Sequence, residues 1–158
     1  MAKPLTDQIV ENVERAVELY YRLILVVAPS GQGKTAALQE VQLQKGFPLV
    51  NVNLELSCQM LDLTERQRVL KLSSLLLEII NKYKDDIILL DNIEVLFDVS
   101  LKQDPMRLLL GLSRNKTLVV AWNGIVKNDY IIYATPNHPE YKRYPLGDFL
   151  IVNPDTNE

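Results

Sequence analysis

The sequence predicts a three-layer α/β domain on a five-stranded, mainly parallel sheet. Three observations carry that expectation. Apolar runs at 22–28, 86–90 and 117–122 are nearly unbroken, as in strands buried on both faces of a parallel sheet. Helical patterns separate these runs, and strand–helix alternation implies parallel crossovers. The first run passes through a glycine-containing turn directly into a helical pattern, the strand–loop–helix arrangement of a phosphate-binding unit.

Each element has its own reason. Residues 5–21 read as a helix, capped by Thr6 or Asp7, with Ile9, Val10, Val13, Ala16, Val17 and Tyr20 on one face. The first strand is 22–28. The next helix spans 33–44, with Gly46 placed as a C-terminal cap. The second strand is 48–54. Thr64 and Gln67 have capping-box spacing and open a long helix to residue 83, with Leu70, Leu72, Leu75, Leu76, Leu77, Ile79 and Ile80 forming a wide apolar face. The third strand, 86–90, ends at Asp91. Asp104-Pro105 begins the next helix, to 112, with proline in its first turn. The fourth strand is 117–122, closed by Asn123-Gly124. Residues 125–146, with three prolines and four of the seven tyrosines, read as irregular. The fifth strand is 148–152, and a short polar tail follows.

Composition narrows the function classes. The chain has 158 residues, 47% hydrophobic and 23% charged, which suits one domain with a single core. Its net charge of -3 gives no global basic field toward nucleic acid or membrane. A single cysteine, Cys58, excludes an internal disulfide framework and suits a reducing, cytoplasmic setting; it reads as a half-buried small hydrophobe. No signal-peptide core and no apolar run of about 18 residues is present, so no membrane association is expected. One histidine and one cysteine give no zinc site. His138 reads as a loop-packing residue.

The chemistry concentrates in Ala28-Pro29-Ser30-Gly31-Gln32-Gly33-Lys34-Thr35. This is a Walker A loop, GxxxxGK[ST], with alanine at its first position. Gly31 and Gly33 allow backbone turns that aim N–H groups at phosphate oxygens, and the helix beyond adds its free N–H groups and positive dipole end. Pro29, Ser30, Gly31, Gln32, Gly33, Lys34, Thr35 and Ala36 are the expected ATP-binding residues. Lys34 is expected to reach the β- and γ-phosphates and Thr35 to hold Mg²⁺. Asp91 ends IILLD, a Walker B pattern, and is the second Mg²⁺ residue. Hydrolysis also needs a carboxylate to polarise water. The position after Asp91 is Asn92, which cannot act as a base. Glu94 is the favoured base, and Glu55, just past the second strand, is the competitor. Asn53 could hold that glutamate idle. Asn123, at the tip of the fourth strand, is a candidate γ-phosphate sensor or simply a turn residue. Arg143, Arg114 and Arg107 are the candidate transition-state cations, Arg143 being placed to project into a neighbouring subunit.

These motifs together resemble the AAA+/STAND side of the P-loop NTPases. Absence of N-K-x-D argues for ATP over GTP. More narrowly, APSGQGKT, VNVNLELS with TERQR, LLDNIEVLF, and NHPEYKRYP leading into DFLIV resemble the BrxF-like small P-loop proteins of type 3 BREX phage-defence systems. The resemblance to P-loop NTPases implies a three-layer core over about residues 22–152; no helical lid is expected after the fifth strand, since only six residues remain after Val152. The BrxF-like resemblance further implies an antiphage ATPase acting by self-association or assembly with other BREX proteins: a larger ATPase, a methyltransferase, a helicase and a phosphatase-like protein. The alternatives are a regulatory subunit that senses ATP without hydrolysing it, and a small-molecule kinase with 125–146 as its lid. Nucleic-acid binding has only Lys142-Arg143 between Tyr141 and Tyr144 in its favour.

Overall fold

The computed structural model describes residues 3–154. The polar tail expected after the last strand lies mostly outside them. Its helices are α1 (Leu5–Ala16), α2 (Lys34–Lys45), α3 (Val52–Met60), α4 (Glu65–Asn81) and α5 (Pro105–Leu112). Its strands are β1 (Leu23–Ala28), β2 (Leu49–Asn51), β3 (Ile87–Asp91), β4 (Thr117–Lys127), β5 (Tyr130–Tyr133), β6 (Lys142–Pro145) and β7 (Leu150–Val152). Two 3₁₀ segments, Ile93–Phe97 and Val99–Leu101, join β3 to α5.

The centre is the expected parallel sheet, in the order β2-β3-β4-β1-β7. All six residues of β1 are buried. Alternate side chains leave the sheet on opposite faces. Ile24, Val26, Val119 and Ala121 meet Ile9 and Val13 of α1 and Leu38 and Val41 of α2. Leu25, Leu90, Leu118 and Val120 meet Leu72, Leu76 and Ile79 of α4 and Leu109 of α5. The result is three layers. Each buried Leu or Ile side chain contributes about 1.5–3 kcal/mol relative to exposure. The capping box at Thr64 and Gln67 and the proline at the start of α5 are present as the sequence indicates.

Several expectations are corrected. The first helix stops at Ala16, not residue 21, and is preceded by Pro4 with no side-chain cap from Thr6 or Asp7. Val17 and Tyr20 are therefore exposed. The chain turns there to enter β1, and Tyr20 packs edge-on against Tyr21.

The second strand is short, and its expected second half is α3. Val50, Val52, Leu54 and Leu56 alternate like a strand, but Val52, Leu56 and Met60 also repeat at helical spacing. The Asn51 side chain accepts from Leu54 N at 3.0 Å and caps the helix. Cys58 falls on the outer face of α3 and is exposed, not half-buried. On α4, Leu70 and Leu77 face outward, so the apolar face is narrower than its leucine content suggests.

Asn123-Gly124 does not end the fourth strand. β4 continues to Lys127, and 130–145 supplies two more strands, so the sheet has seven strands and not five. β4 pairs antiparallel with β5, and β5 with β6. Gly124 is required by close approach: a Cβ there would lie 1.9 Å from the Ile132 carbonyl oxygen. The true turn is Asn128-Asp129, both at positive φ, as a two-residue hairpin demands. Residues 148 and 149 lie outside the last strand, β7.

Candidate functional site

Parallel strands end at one rim, where ligands of open α/β sheets bind. Here the rim brings together the C-terminal ends of β1 and β3 and, at Asn123, the middle of β4. In register, Ala28 stands beside Asn123, and Asn51 beside Asp91.

The loop after β1 takes its shape from Gly31 and Gly33, at φ +81° and +85°. A Cβ at either would meet nothing within 4 Å, so the demand is on backbone conformation, not space. Gly33 precedes α2, and no side chain caps that helix. Its first N–H groups thus stay available to an external acceptor. Lys34 is 5% exposed, and its Nζ donates to the Ala28 and Pro29 carbonyls, each at 2.8 Å. Burial pushes its pKa down, against the opposing pull of Glu94 and Asp91.

Thr35 Oγ1 donates to Asp91 Oδ2 at 2.7 Å, joining the first turn of α2 to the end of β3. Asp91 Oδ1 accepts from Asn92 N at 2.9 Å. Asn92 is left-handed, φ 56°, and its carbonyl accepts from Asn53 N at 3.0 Å. This reversal sends the chain into the first 3₁₀ segment and brings Glu94 back to the rim. Burial, above all, raises the Glu94 carboxyl above its ordinary value; the negative charge of Asp91 adds, while backbone hydrogen bonds and Lys34 oppose. One cavity of about 220 Å³ is lined by Ser30, Gly31, Gly33, Lys34, Thr35, Ala36, Asp91, Asn92, Glu94 and Asn123. Drug-sized ligands occupy roughly 300–1,000 Å³, so the cavity is smaller than a site that encloses one.

Several candidates stand elsewhere. Gln32 does not line the cavity, and Pro29 contributes through its carbonyl. Glu55 is on α3, 3.4 Å from Lys82 Nζ in an ion pair. The Asn53 side chain accepts from Ser57 Oγ at 3.3 Å instead of engaging Glu94. No arginine lines the cavity. Arg114 lies over Tyr20, Arg143 over Tyr130, and Arg107 lines a larger groove, of about 440 Å³, between α4 and α5. His138 is exposed and caps its own loop, Nδ1 accepting from Glu140 N at 3.0 Å. Among the described residues no cluster of three His, Cys, Asp or Glu forms a metal site, and no helix is long and apolar enough to cross a membrane.

Sequence reasoning missed the support behind Glu94. Phe97, in the same 3₁₀ segment, stacks on Tyr133 of β5 with ring centroids 3.6 Å apart. Trp122 packs edge-on against both rings, and its Nε1 donates to the Ile132 carbonyl at 3.2 Å. Burial, with Glu94 and Glu140 adding, pushes the Tyr133 phenol up to about 12. The signal was the Asn128-Asp129 turn between apolar runs, which Asn123-Gly124 upstream masked.

Comparison with protein-family models, with curated proteins and with solved structures returned no match.

Proposed function

We propose that this chain binds ATP with Mg²⁺ at the rim and hydrolyses it slowly. The carrying observation is the convergence of Lys34, Thr35, Asp91, Glu94 and Asn123 on one cavity beside an uncapped helix N-terminus. The residues suit the ligand. Lys34 is a buried cation with only carbonyl partners, Thr35 and Asp91 offer adjacent oxygens to a hard cation, and the glycine loop is open.

In this reading the loop N–H groups and Lys34 hold the phosphates, Lys34 exchanging carbonyl partners for phosphate oxygens. Thr35 and Asp91 would hold Mg²⁺, which supplies charge neutralisation on the β- and γ-phosphates when bound. Glu94 takes a proton from the attacking water, and its raised pKa makes it a stronger base than an ordinary glutamate. Asn123, which lines the same cavity, would contact the γ-phosphate or that water. No arginine of this chain reaches the cavity, so turnover depends on charge supplied by another molecule. The resemblance of the chain to BrxF-like proteins suggests that this is an assembly partner in phage defence.

A second reading is an ATP sensor without turnover. The observation favouring it is Asn92, at the position directly after Asp91 where many ATPases carry their base.

Phosphate release and ATP affinity, measured together, separate the two. Glu94→Gln is expected to lower turnover about 10²- to 10⁴-fold with affinity kept. Turnover unchanged in Glu94→Gln removes Glu94 as the base. Wild-type binding with no release, alone and with partner proteins, leaves the sensor.

A further inference from the structure

The β4–β5–β6 hairpin has two unlike faces. Val126, Ile131, Tyr133 and Tyr144 turn toward the core, and Tyr144 donates to Asp104 Oδ1 at 2.5 Å. The other face is open. Register aligns it in two rows, Ile125–Ile132–Arg143 and Lys127–Tyr130–Pro145. A groove of about 390 Å³ runs over it, with Tyr141 at its border. Asn123 lines the rim cavity and Ile125 lines the groove. They lie one pleat apart, so the groove continues the sheet face that carries the cavity.

The expected Lys142-Arg143 cluster does not exist as such, because neighbouring strand residues point to opposite faces. The groove instead combines Arg143 with Lys127, brought from another strand. Both are exposed, and neither is in an ion pair among the described residues. Among the described residues no acidic residue lines the groove; Asp129 and Glu140, the acids nearest in sequence, lie outside the lining. The Arg143 guanidinium sits 4.1 Å from the Tyr130 ring centroid. That ring backs a planar cation and limits its freedom, as a stacking platform requires.

We propose that this face binds single-stranded nucleic acid, one unstacked base lying on the Arg143 guanidinium and Lys127 holding a backbone phosphate. Interleaved cations and aromatic rings on an open sheet face are the chemistry that takes single strands. A duplex hides its bases from such a platform, and an acidic peptide offers no ring to it. With a net charge of -3, long-range attraction is weak, so binding rests on local contacts. The salt dependence is then shallow: the one phosphate contact gives a slope of about -0.7 in log affinity against log salt. The site does not require the rim to bind ATP.

The test is fluorescence anisotropy of the full chain with labelled oligo-thymidine and oligo-uridine at low salt, against thymidine monophosphate and a duplex as competitors. Arg143→Ala and Tyr130→Ala are each expected to weaken binding about tenfold or more. Arg143→Lys, which keeps charge and loses the plane, is expected to fall between wild type and Arg143→Ala. Lys34→Ala is expected to bind the strand as wild type does. Circular dichroism and thermal melts confirm that each variant is folded, and Lys127→Ala, at an exposed position, serves if Tyr130→Ala is not. Strand binding absent from wild type overturns the proposal. So does binding that Arg143→Ala and Lys127→Ala leave intact, or competition by the monophosphate or duplex as strong as by the single strand.

Discussion

The two halves of β4 are one continuous strand with opposite surroundings. Residues 117–122 are entirely buried between helical layers. Residues 123–127 leave the layers at the rim, line the rim cavity through Asn123, and then carry an antiparallel hairpin with one open face. The first half is held by packing on both sides. The second is held by ladder hydrogen bonds and by an aromatic cluster on one side. The difference teaches where function is placed: packing fixes the strand end, and the residues just beyond it are free to carry chemistry.

The largest test of that contrast is stability. Trp122→Ala, at the last buried position, is expected to cost about 3–5 kcal/mol by urea unfolding. Ile125→Ser, three residues later and 45% exposed, is expected to stay within about 0.5 kcal/mol. Equal costs would erase the distinction between the halves. Gly124→Ala falls between them, at about 1–3 kcal/mol. Its Cβ would collide with the Ile132 carbonyl, so loss of amide protection should centre on β5 and β6. Protection lost uniformly across the sheet would mean that the hairpin is not a separate unit.

The smallest effect concerns Glu94. Its carboxyl is raised on folding, so the folded state holds that proton more tightly than the unfolded chain. Stability from this group is present below the ordinary glutamate range and lost as pH rises through the raised value. Glu94→Gln is therefore expected to melt slightly higher than wild type at neutral pH, the gap closing in acid. A gap that widens in acid would reverse the sign assigned to Glu94.

The legible parts of the sequence were those where composition and spacing pointed one way. β1, β3 and the buried half of β4 are apolar throughout, and the Thr64 cap has both its partners. Lys34, Thr35 and Asp91 were legible because the loop and the strand-end acid each sit in the strand context their motif needs. What was not legible involved competing periods or a misleading turn signal. Val50 to Leu56 satisfies both a two-residue and a helical repeat, and only the Asn51 cap decides. Asn123-Gly124 has turn chemistry, yet Gly124 serves a close strand approach. Glu55 follows the second strand in sequence, but it lies in the first turn of α3, pairs with Lys82 and does not line the cavity. Arg143 was visible as a residue, but its pairing with Tyr130 depends on strand register across the hairpin, which no local pattern reveals.

The central claim is that the rim is a nucleotide site built on Lys34. Isothermal titration calorimetry with Mg²⁺-ATP tests it most directly, comparing wild type with Lys34→Ala. The account predicts saturable one-to-one binding to wild type, weakened about ten- to a hundredfold in Lys34→Ala, as expected for loss of charged hydrogen bonds. Equal affinity in the two proteins, or no heat of binding in wild type, would contradict it.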